Sequence, residues 1–278
     1  IRVYPWPTSY FCAGIRASRL LEQVASESLH KGFLMEPREY EIMHLAEDLH
    51  WWYKGMAAIT RSIMERYYAR GQGLRILDAG CGTGAGMAWL SDYGKVTGCD
   101  ISAHAIHLCG QRGNKGLARA SVMALPFGKQ TFDVVVSLDV LYFLNVDDVK
   151  ALEEFARVLI PGGRVLLRVP AFDWLRGIHD VKVSTGHRYT RKELSEKMSK
   201  CGLTPLIMSY ANTLLFPLVL AKRFFDRWLA FQKESDISIR TGFLDKCFET
   251  CLVLESRLIA KHSLPFGVSI TGIGQKAF

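Results

Sequence analysis

The sequence lacks any uninterrupted apolar run approaching the 18 or so residues that a spanning helix needs. Its longest candidate is Thr213 to Ala221, so integral membrane insertion is not expected. Seven cysteines, at 12, 81, 99, 109, 201, 247 and 251, form no Cys-x-x-Cys unit and have no nearby histidine at finger spacing. No metal site is expected from them, and the set reads as reduced thiols of a cytoplasmic protein. Cys247 and Cys251, four apart, read as one buried helix face. A targeting signal with a clear cleavage pattern is also missing. The chain starts at Ile1 rather than Met, which suits a processed fragment, and residues 1 to 16, with Pro5, Pro7 and several aromatics but no periodicity, read as a loosely attached arm.

What is present is enough for a sizeable core: 278 residues, 49% of them apolar. The net charge of +8 is uneven. Residues 1–71 carry 9 basic and 8 acidic side chains, residues 72–181 carry 11 of each, and residues 182–278 carry 15 and 8. Positive potential therefore gathers in the C-terminal third.

The most informative stretch runs from Arg75 to Gly86. Ile76 and Leu77 read as a buried strand, and the glycines after them as a turn into a helix starting near Gly84. Gly80, Gly82 and Gly84 remove side chains that would keep a ligand off the backbone. The spacing Gly80-x-Gly82-x-x-Ala85 also satisfies the dinucleotide fingerprint, in which pyrophosphate sits on the helix N-terminus. Asp78 argues against that, because a carboxylate repels pyrophosphate and suits an ammonium. Asp100 ends the next apolar run, where an acid can grip ribose hydroxyls. An acid, three alternating glycines and a second acid suit a ligand with an amine and a ribose but no phosphate.

Leu77-Asp78-Ala79-Gly80-Cys81-Gly82-Thr83-Gly84 resembles motif I of the class I S-adenosylmethionine-dependent methyltransferases. The resemblance implies methyl transfer by direct displacement, with S-adenosylmethionine as cofactor and S-adenosylhomocysteine as product. It implies a cofactor site of Asp78, Gly80, Cys81, Gly82, Gly84, Asp100, Ile101, Val122, Met123, Ser137 and Leu138. Two segments depart from the family pattern. Ser121 stands where many relatives place an acid against adenine. Tyr142 and Phe143 stand where many carry Glu-His, which removes the easiest general base.

From Arg75 onward strand and helix patterns alternate, with strands at 75–80, 95–100, 117–122, 132–138, 163–169 and 204–210 and a last run at 267–274. This predicts a Rossmann-like, seven-stranded, mostly parallel α/β sheet with helices on both faces. Leu159-Ile160-Pro161-Gly162-Gly163 is the turn into the fifth strand. Helices are expected at 18–31 and 36–70, the second presenting Ile42, Leu45, Leu49, Trp52, Met56, Ile59 and Ile63 as one face. Residues 1–70 then form an arm and helical lid, and residues 71–278 the methyltransferase domain, with a helical insertion at about 213–264 before the last strand.

Three regions bear on the acceptor. His50-Trp51-Trp52-Tyr53 is either an aromatic core patch or a lid, and a bacterial subgroup of the family has a similar cluster, which brings in Trp52 and Tyr53. The same subgroup has a similar His-Asp and His-Arg-Tyr-Thr run, implicating His179, Asp180, His187 and Arg188. With the histidine of the family's Glu-His pair absent, either Tyr142 or Asp139 is expected to face the acceptor, each reading equally well as structural, and Tyr142 completes the catalytic candidates with His187 and His179. Within 213–264, apolar residues interleaved with Lys222, Arg223 and Arg227 suit a membrane-surface helix, a substrate lid or a homodimer face. The expected partner is a small, hydrophobic acceptor molecule. The rival readings are a nucleic-acid methyltransferase, disfavoured because no Asn-Pro-Pro-Tyr signature follows the fourth strand, a nicotinamide oxidoreductase, and a non-catalytic cofactor-binding protein.

Overall fold

The computed structural model describes residues 37–177, 180, 185–229 and 242–278, and the helix expected at 18–31 lies outside them. On β1 (Leu74–Ala79), Ile76 and Leu77 are both fully buried but belong to opposite sides of the sheet. Consecutive strand residues point to opposite faces, so each face needs its own cover. On β4 (Phe132–Leu138), Val135 joins Leu77 while Val134 and Val136 join Ile76.

The Leu77 side is covered by α5 (Asp148–Val158), through Leu152 and Phe155, and by α6 (Arg191–Lys200), through Leu194 and Met198. The Ile76 side is covered by α2 (Trp51–Met64), α3 (Ala85–Leu90) and α8 (Phe243–Ile259), which supply Met56, Ile59, Ile63, Leu90, Leu252 and Ile259. The helix α4 (Ala103–Gln111) follows β2 (Gly94–Asp100), and α7 (Phe216–Leu229) follows β6 (Leu203–Ala211). With β3 (Leu117–Arg119), β5 (Leu159–Pro170) and β7 (Ser269–Lys276), the sheet order is β3-β2-β1-β4-β5-β7-β6. β7 runs antiparallel to both its neighbours, and the other pairings are parallel. The strand order reverses direction between β1 and β4, the crevice where an open α/β sheet holds its ligand.

Four boundaries differ from expectation, each for a local reason. The helix expected over 36–70 is two helices, α1 (Pro37–Ala46) and α2. His50 is extended, and its Nδ1 accepts the Trp52 N–H at 3.2 Å, so it caps a new helix. Leu45 and Leu49 consequently stay exposed, at 60% and 54%, instead of joining the apolar face. β3 ends at Arg119 because Ser121 Oγ accepts the Met123 N–H and turns the chain. β5 starts at Leu159, earlier than expected, with a register shift against β4 between Phe132 and Val134. Finally, α8 lies within the expected insertion, yet Leu252 is fully buried in the shared core. Among the described residues no helix is long and apolar enough to cross a membrane.

Candidate active site

The parallel register places Ala79 beside Cys99, so Asp78 and Asp100 sit at the tips of adjacent strands. The bend after β1 is pinned to β2, because the Gly80 and Cys81 N–H groups both donate to Cys99 O, at 2.8 and 2.9 Å. Gly80 has φ +85°, and a Cβ there would lie 2.2 Å from Val140 Cγ2, so glycine is required by both backbone and space. The same contact brings the tip of β4 directly against the loop.

Asp100 organises the loop through both oxygens: Oδ2 accepts the Gly82 N–H at 3.1 Å and Oδ1 the Ser102 N–H at 2.8 Å. Asp78 is 4% exposed, and its carboxyl has no hydrogen bond among the described residues. Burial, followed by the charges of Cys109, Glu47 and Asp100, pushes its pKa up to about 8. A carboxyl held in that state lacks a cation, and an ammonium beside it would restore the ionised form. The Cβ-free bend and its two acids therefore fit the amine and ribose of S-adenosylmethionine.

The helix α1 lies across this loop. Tyr40 is buried near Asp100 and Ser102, its phenol pushed up to about 12 chiefly by burial. Met43 Cε lies 3.0 Å from where a Gly82 Cβ would stand. The Thr83 hydroxyl donates to Glu47 just beyond α1, and Arg112 holds the same carboxylate at 3.2 Å. None of these helix-side residues was picked out from sequence, although their spacing at 40, 43 and 47 is that of one helix face.

The remaining cofactor candidates surround the crevice in different ways. Ser137 Oγ donates to Ala79 O at 2.9 Å and ties β4 to β1, while Leu138 is half-buried beside it. Cys81 and Val122 are buried, Met123 is half-buried, and Ile101 is 47% exposed at the rim.

At the tip of β4, Asp139 has φ +58°, a left-handed conformation that aspartate tolerates better than most residues. Its Oδ2 accepts from Arg168 Nε at 2.8 Å and lies 2.6 Å from Nη2. Arg168 is 8% exposed, donates also to Thr60 Oγ1 at 3.3 Å, and lies under the Trp52 ring, 5.5 Å from its centroid. Trp52 and Tyr53 meet edge to face at 5.0 Å. The Tyr53 phenol is held well above its ordinary range by burial, and further by the charges of Glu47 and Asp139. Tyr142, stacked on Phe143 at 4.6 Å, is raised by burial, then by Asp139 and Tyr53. Arg168 was missed from sequence, and its one signal was a lone charge in the apolar strand Val165-Leu166-Leu167-Arg168-Val169.

The loop after β5 is fastened by its own side chains. His187 Nδ1 lies 3.2 Å from Asp173 and Nε2 2.8 Å from Glu193. Arg188 Nε donates to Asp180 at 2.8 Å and Nη1 to Ala171 O at 3.0 Å, with both charged side chains buried. Asp180 also accepts the Gly177 N–H at 2.7 Å. The Tyr189 hydroxyl lies 2.7 Å from Asp148, and Thr190 caps α6. His179 lies outside the described residues. Among the described residues no group of three potential metal ligands converges.

Residues 77–167 match the Methyltransferase domain family. The chain is 40% identical over 96 residues to the tRNA (carboxymethyluridine(34)-5-O)-methyltransferase of Arabidopsis thaliana, covering 34% of this chain and 23% of that protein. It is 32% identical over 159 residues to the O-methyltransferase rstn1 of Aspergillus nomiae, covering 53% of this chain and 65% of that one. The chain thus spans between about a quarter and two thirds of these curated relatives. A solved SAM-dependent methyltransferase of Thermotoga maritima, described as a possible histamine N-methyltransferase, has the same fold, with TM-score 0.54 and 16% identity over 86% of this chain and 95% of that one. Residues 77–167 thus belong to the Methyltransferase domain family, and the seven-stranded sheet with its acid–glycine–acid crevice has the fold of the class I S-adenosylmethionine-dependent methyltransferases.

Proposed function

We propose that this chain transfers a methyl group from S-adenosylmethionine to a small, hydrophobic acceptor by direct displacement. The cofactor supplies a methyl group already activated by the positive charge on its sulfur. Asp78 and the loop of Gly80, Cys81, Gly82 and Gly84 bind the methionine part, and Asp100 binds the ribose. Ile101, Val122 and Met123 line the adenine, and Ser137 and Leu138 form the floor. Residues 37–64 act as a lid on the domain that begins near residue 71, with α1 excluding water from the loop.

On the acceptor side, Trp52, Tyr53 and Tyr142 bring aromatic surface to the tip of β4 and favour an apolar acceptor. With the leaving group already charged, positioning supplies most of what the chain must add. His187 is assigned to holding the loop, because each ring nitrogen faces a carboxylate, and the buried Asp180–Arg188 pair has the same role.

The observation that carries this reading is the buried Asp78 carboxyl, without a hydrogen bond among the described residues, beside a Cβ-free bend that Asp100 holds in place. Calorimetry with S-adenosylhomocysteine tests it. Asp100→Ala should weaken binding at least tenfold, about 1.4 kcal/mol, and an unchanged affinity would remove Asp100 from the site. Preferential binding of reduced nicotinamide dinucleotide would overturn the reading altogether. A polynucleotide acceptor is the second reading, favoured by the Arabidopsis thaliana relative's tRNA activity and by the basic C-terminal third.

A further inference from the structure

The tip of β4 carries polar groups that binding the cofactor's methionine and ribose does not require. Asp139 gives one oxygen to Arg168, and its other oxygen has no hydrogen bond among the described residues. The hydroxyls of Tyr53 and Tyr142 likewise have no hydrogen-bond partner among the described residues. Both phenols lie close enough to Asp139 for its charge to act on them. Val140, the next residue, touches Gly80 of the cofactor loop, so this trio adjoins the end of the site that holds the methionine part.

The arrangement is costly to maintain. A buried guanidinium and a carboxylate in a left-handed backbone each oppose folding unless something offsets them. The Arg168 clamp fixes Asp139 by two contacts to one oxygen, which leaves the second oxygen aimed by the first.

Resting on the methyltransferase reading, we infer that the free oxygen of Asp139, which the Arg168 clamp fixes at the tip of β4 with the Tyr53 and Tyr142 phenols in the same region, orients an acceptor bearing an N–H or O–H at the atom to be methylated. Arg168 is the positioning residue that holds it. The acceptor's lone pair forms the new bond to the methyl carbon. The carbon–sulfur bond breaks with its electron pair left on sulfur, giving a neutral thioether. The proton made acidic on the methylated nitrogen or oxygen passes to Asp139 and from there to water. Thiol-only and carbon acceptors, which present no such donor, fit the trio less well.

Sinefungin tests this without knowledge of the acceptor, because it carries an ammonium where the transferable methyl would be. In the full chain, calorimetry should show sinefungin binding more tightly than S-adenosylhomocysteine. Asp139→Asn, which keeps an αL-tolerant residue, should cut that preference about tenfold while leaving S-adenosylhomocysteine affinity unchanged. Tyr53→Phe and Tyr142→Phe leave the ion pair with Arg168 intact and should each reduce the preference by a smaller factor. They give the answer even if the Asn variant fails to fold. Should the preference survive the substitutions that fold, the inference is overturned while the methyltransferase reading stands. If the wild-type chain binds neither compound, both fall together.

Discussion

At the residue scale, Asp78 combines near-complete burial with a carboxyl that lacks a hydrogen-bond partner among the described residues, and this makes cofactor binding depend on pH. Its folded-state pKa of about 8 lies above the unfolded value near 3.9. Between those values the native state keeps a proton that the unfolded chain has released, so the native state loses stability as pH rises through the window. A cationic ligand needs the ionised form, so its affinity should rise with pH until about 8. Two measurements check this. S-adenosylmethionine affinity should climb across that range in the wild-type chain and be weak and nearly flat in Asp78→Asn. Thermal unfolding of the ligand-free Asn variant should occur at a higher temperature than wild type near neutral pH. A wild-type affinity independent of pH would count against an ammonium at Asp78. Asp78 and Asp100 were legible in the sequence because both belong to one strand-end pattern. The Asp139–Arg168 pair was not, since residues 29 positions apart meet only through the β4–β5 register.

At the element scale, the Ile76 face of the sheet depends on how closely α2 approaches α8. Gly55 sits at the contact, and a Cβ there would lie 2.4 Å from Leu252 Cδ1 and 2.5 Å from its Cβ. Gly55→Ala gains helix propensity, worth up to about 1 kcal/mol, but overpacks this seam, which typically costs about 1–3 kcal/mol. The second effect should win because Leu252 is fully buried and the clash includes its Cβ, which cannot rotate away. Denaturant unfolding should therefore show a net loss of stability. In Leu252→Gly, which removes that Cβ and leaves a cavity, adding Gly55→Ala should cost much less or even recover stability, a coupling visible in a double-mutant cycle. Simple additivity would mean that the helices do not meet at these residues. The periodicity of α2 was readable from Met56, Ile59 and Ile63. That α8 is its partner was not, because nearly 200 residues separate the two and nothing local in Leu252 marks its contact. The break between α1 and α2 was equally hidden, resting on one histidine side chain that caps instead of continuing the helix.

At the scale of the whole molecule, charge is divided in a way that bears on the acceptor. Residues 182–278 hold 15 basic against 8 acidic side chains, a surplus of 7. The crevice itself is acidic, with Asp78, Asp100 and Glu47 around the loop and Asp139 beyond it. A polynucleotide threading its target into this crevice would bring phosphates toward Asp100 and toward Glu47 and Asp139, whose charges Arg112 and Arg168 already neutralise. It finds no surplus cation there, whereas a small neutral or cationic acceptor needs none. The basic third can still attract nucleic acid without placing it in the site. Binding of that kind releases counterions, and its logarithm falls with the logarithm of salt at about 0.7–0.9 per phosphate neutralised. Unfractionated tRNA should therefore bind this chain weakly and steeply with salt, fade by about 0.2 M, and leave S-adenosylhomocysteine affinity unaltered at saturation. Tight tRNA binding that persists at that salt and shifts the affinity for S-adenosylhomocysteine would show the polynucleotide reaching the crevice. The acceptor assignment would then move from a small molecule to RNA, with Asp139 and the two phenols contacting a base instead.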